Sequence, residues 1–108
     1  MLPGIKQFDL SGRTVLVTGG SKGLGKAMAD GFASAGANLF LVSRNLDEAT
    51  AAAKEIKGYY PIEAFGYEAD VTNEEAVSQM VKEALGRFGQ IDVLVNNAGI
   101  NRRGPIEG

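Results

Sequence analysis

Four short apolar runs, separated by three stretches of helical periodicity, leave this chain few architectures. The runs are Val15 to Val17, Leu39 to Val42, a less regular segment within Pro61 to Ala69, and Ile91 to Val95. Between them apolar or small residues recur three and four positions apart, the signature of one buried helix face. The first stripe is Leu24, Ala27, Met28, Gly31, Phe32 and Ala35, closed by Gly36; the second is Leu46, Ala49, Ala53 and Ile56, closed by Gly58. The third is Val77, Met80, Val81, Ala84 and Phe88, closed by Gly89. Asn45 with Glu48, and Thr72 with Glu75, have the spacing of capping boxes at the starts of the second and third helices. The order is therefore β-α-β-α-β-α-β. Strands joined by helices must lie parallel, because a crossover is needed to bring the chain back. Such crossovers are right-handed in nearly all proteins. Short, strongly apolar strands suit a sheet covered on both faces. The expected class is α/β, a doubly wound parallel sheet, and residues 1–108 read as the first part of one domain, lacking its C-terminal half. A fourth strand this apolar is expected inside a sheet rather than at its rim, with further residues or another chain covering it.

Composition narrows the function. The net charge is −2 with no cluster of Lys and Arg, which argues against a nucleic-acid partner, since phosphate binding of that kind needs clustered cations. There are no cysteines and no histidines. Disulfides, thiolate metal sites and cysteine nucleophiles are excluded, and the commonest general base and metal ligand is missing. No metal site is expected. The first residues do not combine a basic start with an apolar run, and no apolar run approaches the roughly 18 residues of a membrane span. A soluble, cytoplasmic protein without a membrane partner is the expectation.

The stretch TVLVTGGSKGLGKAM places Gly19, Gly20, Gly23 and Gly25 between the first strand and the first helix. Glycines there let the backbone approach a phosphate, which the unpaired N–H groups and dipole of a helix N-terminus stabilise. The spacing is T-G-x-x-x-G-x-G, met by Thr18, Gly19, Gly23 and Gly25. It is not a P-loop, because that motif needs a Lys after the last glycine and then Ser or Thr, and Gly25-Lys26-Ala27 puts alanine at the second of these positions.

That pattern, with Asp70-Val71 after the third strand and NNAG (Asn96 to Gly99) after the fourth, resembles the short-chain dehydrogenase/reductase family over nearly the whole chain. The resemblance implies a Rossmann-type fold, NAD(H) or NADP(H) as cofactor, hydride transfer to or from an alcohol or carbonyl substrate, and a homo-oligomer. It implies that Gly19, Ser21, Lys22, Gly23, Leu24 and Gly25 surround the pyrophosphate turn. Asp70 and Val71 would border the adenine, and Asn96, Ala98 and Gly99 the riboses; Asn96 has an equal claim to bracing the sheet. An acidic residue after the second strand selects NAD(H), whereas Arg suits the 2′-phosphate of NADP(H). Arg44 stands there, and Lys22 adds a second positive charge. NADP(H) is therefore expected over NAD(H).

The family's catalytic pair is a tyrosine with a lysine four residues later. Tyr59, Tyr60 and Tyr67 are followed at that distance by Glu63, Ala64 and Val71. No catalytic residue is assigned, and this chain alone is expected to be inactive. Gly99 to Glu107 is similar to short-chain enzymes acting on sugar acids such as gluconate. The alternatives are a stand-alone dinucleotide-binding module, or a fragment that associates through its sheet edge.

Overall fold

β1 (Thr14–Thr18) lies buried along its whole length, as its unbroken apolar run requires. In the computed structural model, which describes residues 9–19 and 22–97, it is followed by α1 (Gly23–Ser34), β2 (Asn38–Ser43), α2 (Leu46–Tyr59), β3 (Ala64–Glu68), α3 (Glu74–Phe88) and β4 (Val93–Asn96). The four strands form one sheet in the order β3-β2-β1-β4, and every pairing is parallel. The expected α/β architecture is present. The chain runs outward from β1 to β2 and β3, then returns to the other side of β1 to lay down β4.

Side chains of successive strand residues point to opposite faces, so each run of aliphatic residues feeds two cores. Val15, Val17, Leu39 and Leu41 are fully buried on one face, against Ala29 and Ala33 of α1 and Ala52, Ala53 and Ile56 of α2. Leu16, Phe40 and Val42 are buried on the other, against Met80 and Ala84 of α3. Phe40 anchors this second core. Its ring lies 5.6 Å from Phe65, 5.3 Å from Tyr67 and 6.4 Å edge-on from Phe88. Arg87 covers the outer side of Phe65 with its guanidinium 3.6 Å from the ring centroid, a cation–π contact that also shields an edge strand.

Two sequence expectations change in the structure. The buried stripe of α1 is Gly25, Ala29 and Ala33, while Leu24, Ala27 and Gly31 face outward. Small residues at i, i+4 and i+8 let the helix sit close to β1 and β2, and closeness outweighed the size of Leu24 in setting the helix's rotation. α3 is capped by Asn73, whose side chain accepts from the Ala76 backbone N–H, and not by Thr72. The Thr72 hydroxyl is already committed to Asp70 at 2.6 Å. β4 is at the rim of the sheet among the described residues, with Leu94 60% exposed. Leu94 pairs with Leu16 in register. It therefore points to the same face as the second core, yet it stays exposed while Leu16 beside it is buried there.

Candidate functional site

All four strands are parallel, so their C-terminal ends share one edge of the sheet. In open α/β sheets a ligand crevice forms at that edge, where the strand order reverses. Here the reversal lies between β1 and β4, and the conspicuous sequence motifs converge on it.

β1 ends in Thr18, and its hydroxyl donates to Asn96 Oδ1 at 3.0 Å. The Thr18 hydroxyl oxygen in turn accepts from the Asn97 backbone N–H at 3.0 Å. Asn97 is buried, and its Nδ2 donates to the Gly19 carbonyl at 3.4 Å. Gly19 has φ 69° and gives its own N–H to the Val42 carbonyl at 2.7 Å. The turn is thus tied to β2 on one side and to β4 on the other. Gly25 closes the arrangement from below. A Cβ built on it would fall inside the Gly19 carbonyl group and 2.7 Å from Asn97 Nδ2. Only glycine lets the first turn of α1 lie this close to the end of β1.

The first turn of α1 differs from those of its neighbours. Asn45 and Asn73 each cap their helix with a side-chain oxygen, and each of those first turns carries two acidic residues. α1 has Lys22 at its N-cap, no capping side chain among the described residues, and no acidic residue in its first turn. Its leading N–H groups carry partial positive charge that an anion would satisfy. Gly23 occupies the first helical position with φ 56°. Leu24 beside it is 60% exposed, an apolar side chain facing solvent where a ligand would lie.

The other expected residues that the structure describes are spread around this edge. Lys22 Nζ forms an ion pair with Glu48 Oε2 at 3.3 Å, linking the glycine turn to the first turn of α2. Arg44 is exposed just after β2, near enough to Asp70 for its charge to act on that carboxyl. The Asp70 carboxylate turns into its own loop. It accepts from the Thr72 hydroxyl at 2.6 Å and backbone N–H at 3.0 Å. These two bonds, with Arg44 adding a smaller contribution, hold it below the ordinary carboxylate range. Val71 packs against the Phe40 core. Asn96 is fastened to Thr18 as a brace would be. Ser21, Ala98 and Gly99 lie outside the described residues, as does the sugar-acid-like segment that follows.

Asn97 was not singled out from sequence, and Glu48 was read there only as a capping-box residue. For Asn97 the available signal was the doubled asparagine, since two adjacent residues at a strand end point to opposite sides and one must turn inward. For Glu48 no pattern distinguishes it from a capping residue.

Among the described residues no group of three or more His, Cys, Asp or Glu could hold a metal ion. No described helix is long and apolar enough to cross a membrane.

The family model that matches the chain is that of short chain dehydrogenases, over residues 13–108. The 3-oxoacyl-(acyl-carrier-protein) reductase of Aquifex aeolicus is 38% identical over 96 residues, which are 89% of this chain and 39% of that protein. A hydroxysteroid dehydrogenase from Escherichia coli superposes with a TM-score of 0.82 at 35% identity, covering 87% of this chain and 40% of that one. L-sorbose reductase from Gluconobacter frateurii, solved in complex with NADPH and L-sorbose, gives 0.82 at 38% identity, covering 85% and 35%. The chain thus spans between about a third and two-fifths of the length of the relatives it matches.

Proposed function

The chain belongs to the short-chain dehydrogenase family, and from that premise we propose that it is the N-terminal, cofactor-binding part of a single Rossmann domain in a soluble, cytoplasmic, homo-oligomeric oxidoreductase. The enzyme moves a hydride between NADP(H) and a small alcohol or carbonyl compound. The observation that carries this reading is the packing of Gly25 against Gly19 and Asn97 at the start of α1, which has no capping side chain among the described residues. That close packing holds the glycine turn against the first N–H groups of α1, at the reversal point of a parallel sheet, an arrangement that suits a pyrophosphate.

Each residue has a physical task. The N–H groups at the start of α1 hold the pyrophosphate by hydrogen bonds and by the helix dipole. Leu24 supplies apolar contact above that turn. Thr18, Asn96 and Asn97 keep the ends of β1 and β4 together so that the turn holds its shape. The Asp70 loop forms the adenine side of the crevice. When bound, the nicotinamide ring supplies the hydride acceptor or donor. Proton transfer to the substrate oxygen needs an acid that this chain does not offer. It has no histidine, and none of its three tyrosines has a lysine four residues on. The 108-residue chain by itself does not turn over substrate.

Preference for NADP(H) rests on Arg44 and Lys22. A guanidinium offers a fork of donors to a phosphate, and no carboxylate stands at the end of β2, where NAD(H) would need one. The bound NADPH of the L-sorbose reductase is consistent with this preference. Arg44→Asp is expected to reverse it. A hydrogen bond to a charged group contributes about 1.5–3 kcal/mol, so the ratio of NADPH to NADH affinity should fall by at least about tenfold. Paired fluorescence titrations of the two reduced cofactors measure the ratio. Equal affinities in the unmutated chain, or an unchanged ratio in the variant, contradict the assignment.

A further inference from the structure

We propose that Glu48 is a positioning residue that sets the strength of the preference for the 2′-phosphate, by competing for Lys22; this rests on the functional reading above. Asn45 and Glu48 have the spacing of a capping box, in which the glutamate side chain would return to the Asn45 N–H. The structure completes only half of that box. Asn45 Oδ1 accepts from the Glu48 N–H at 3.1 Å. The Asn45 N–H goes instead to the Ser43 hydroxyl at 3.1 Å. With that donor taken, the Glu48 carboxylate reaches across to Lys22 Nζ, 3.3 Å away.

The consequence is electrostatic. Lys22 is one of the two cations assigned to the 2′-phosphate, and its charge is already partnered. Its side chain is 73% exposed and that of Glu48 39% exposed, so the pair is loose and open to exchange. A 2′-phosphate arriving at Lys22 must displace the carboxylate or sit beside it, and two negative groups sharing one ammonium repel. A nucleotide without that phosphate meets neither cost. Glu48 therefore narrows the gap between NADP(H) and NAD(H).

The test uses two nucleotides that differ only in the group at issue, adenosine 2′,5′-bisphosphate and adenosine 5′-monophosphate, titrated calorimetrically into the 108-residue chain. Glu48→Gln keeps the backbone N–H that Asn45 accepts from and removes the charge. Exposed ion pairs are weak, so the expected effect is about two- to fivefold tighter binding of the bisphosphate, with the monophosphate unchanged. Glu48→Asp, which keeps the charge, should leave the bisphosphate affinity near that of the unmutated chain. In a Lys22→Met background, Glu48→Gln should no longer matter. The gain should also shrink at high salt, where exposed charges are screened. Three results overturn the inference alone: no change with Glu48→Gln, equal changes for both nucleotides, or a gain that persists without Lys22. Failure of the unmutated chain to bind either nucleotide overturns the functional reading and this inference with it.

Discussion

Gly25→Ala should weaken cofactor binding by more than about tenfold, while a glycine-to-alanine change six residues along the same helix does no harm. The added methyl group at position 25 would meet the Gly19 carbonyl and Asn97 Nδ2. The first of these is backbone and cannot step aside. Either α1 lifts away from β1, or the turn shifts and gives up the Gly19 bond to Val42 or the Asn97 bond to Gly19. Overpacking of this kind costs about 1–3 kcal/mol of stability. The effect on binding is larger, because the displaced atoms are those that shape the phosphate turn; at 1.4 kcal/mol per decade, a loss of more than about tenfold in NADPH affinity is expected. Gly31 is the internal control. It is exposed, within α1, and a Cβ there meets nothing within 4 Å. Gly31→Ala should raise stability by about 0.5–1 kcal/mol and leave binding alone. Thermal melts and NADPH titrations of the two variants provide the comparison. Unaltered binding in Gly25→Ala would mean that this close packing does not shape the site.

Phe40→Ala should lower stability by about 3–5 kcal/mol. Phe40 is fully buried in the middle of β2 and touches aromatic rings from β3 and α3. Removing it leaves a void beneath Phe65, Tyr67 and Phe88, which cannot collapse together because they are fixed on two different elements. A chain of this size has a total stability of about 5–15 kcal/mol, so the variant is expected to be partly unfolded under mild conditions. Urea denaturation followed by circular dichroism gives the difference. Phe40→Leu keeps most of the volume and should cost clearly less. A loss below about 1 kcal/mol in the alanine variant would mean that the α3 core contributes little to the fold.

The alternation of elements was legible because the strands bury both faces. Val15, Leu16 and Val17 are all apolar for that reason, and an unbroken short run between helix stripes has few other readings. The glycine turn was legible because close approach demands a missing side chain. The misreadings share one cause: they depended on which of two neighbours a group would choose. Leu24 looked like core because hydropathy ranks it above Gly25, yet α1 packs by closeness and turned its small residues inward. Thr72 looked like a cap, but Asp70 claimed its hydroxyl and Asn73 took the position. Glu48 looked like the second half of a capping box, but Ser43 supplied the acceptor. Strand order across the sheet has no local signature, and so the pairing of β4 with β1 was not readable from its apolar character.

The same competition explains the division of labour between the two asparagines after β4. Asn96 reaches Thr18 through its side chain, whereas Asn97 bonds the same hydroxyl through its backbone and sends its own side chain under the glycine turn. One threonine hydroxyl thereby fastens β4 to β1, and the buried amide behind it supports the turn.

The most direct test of the glycine turn as a nicotinamide-dinucleotide site is an amide-resolved NMR titration of the 108-residue chain with NADPH. Saturable shifts are expected at Gly19, Lys22 to Gly25, Arg44 and the Asp70–Val71 loop, with the far ends of α2 and β3 silent. No saturable change, or shifts concentrated away from the C-terminal edge of the sheet, would contradict it.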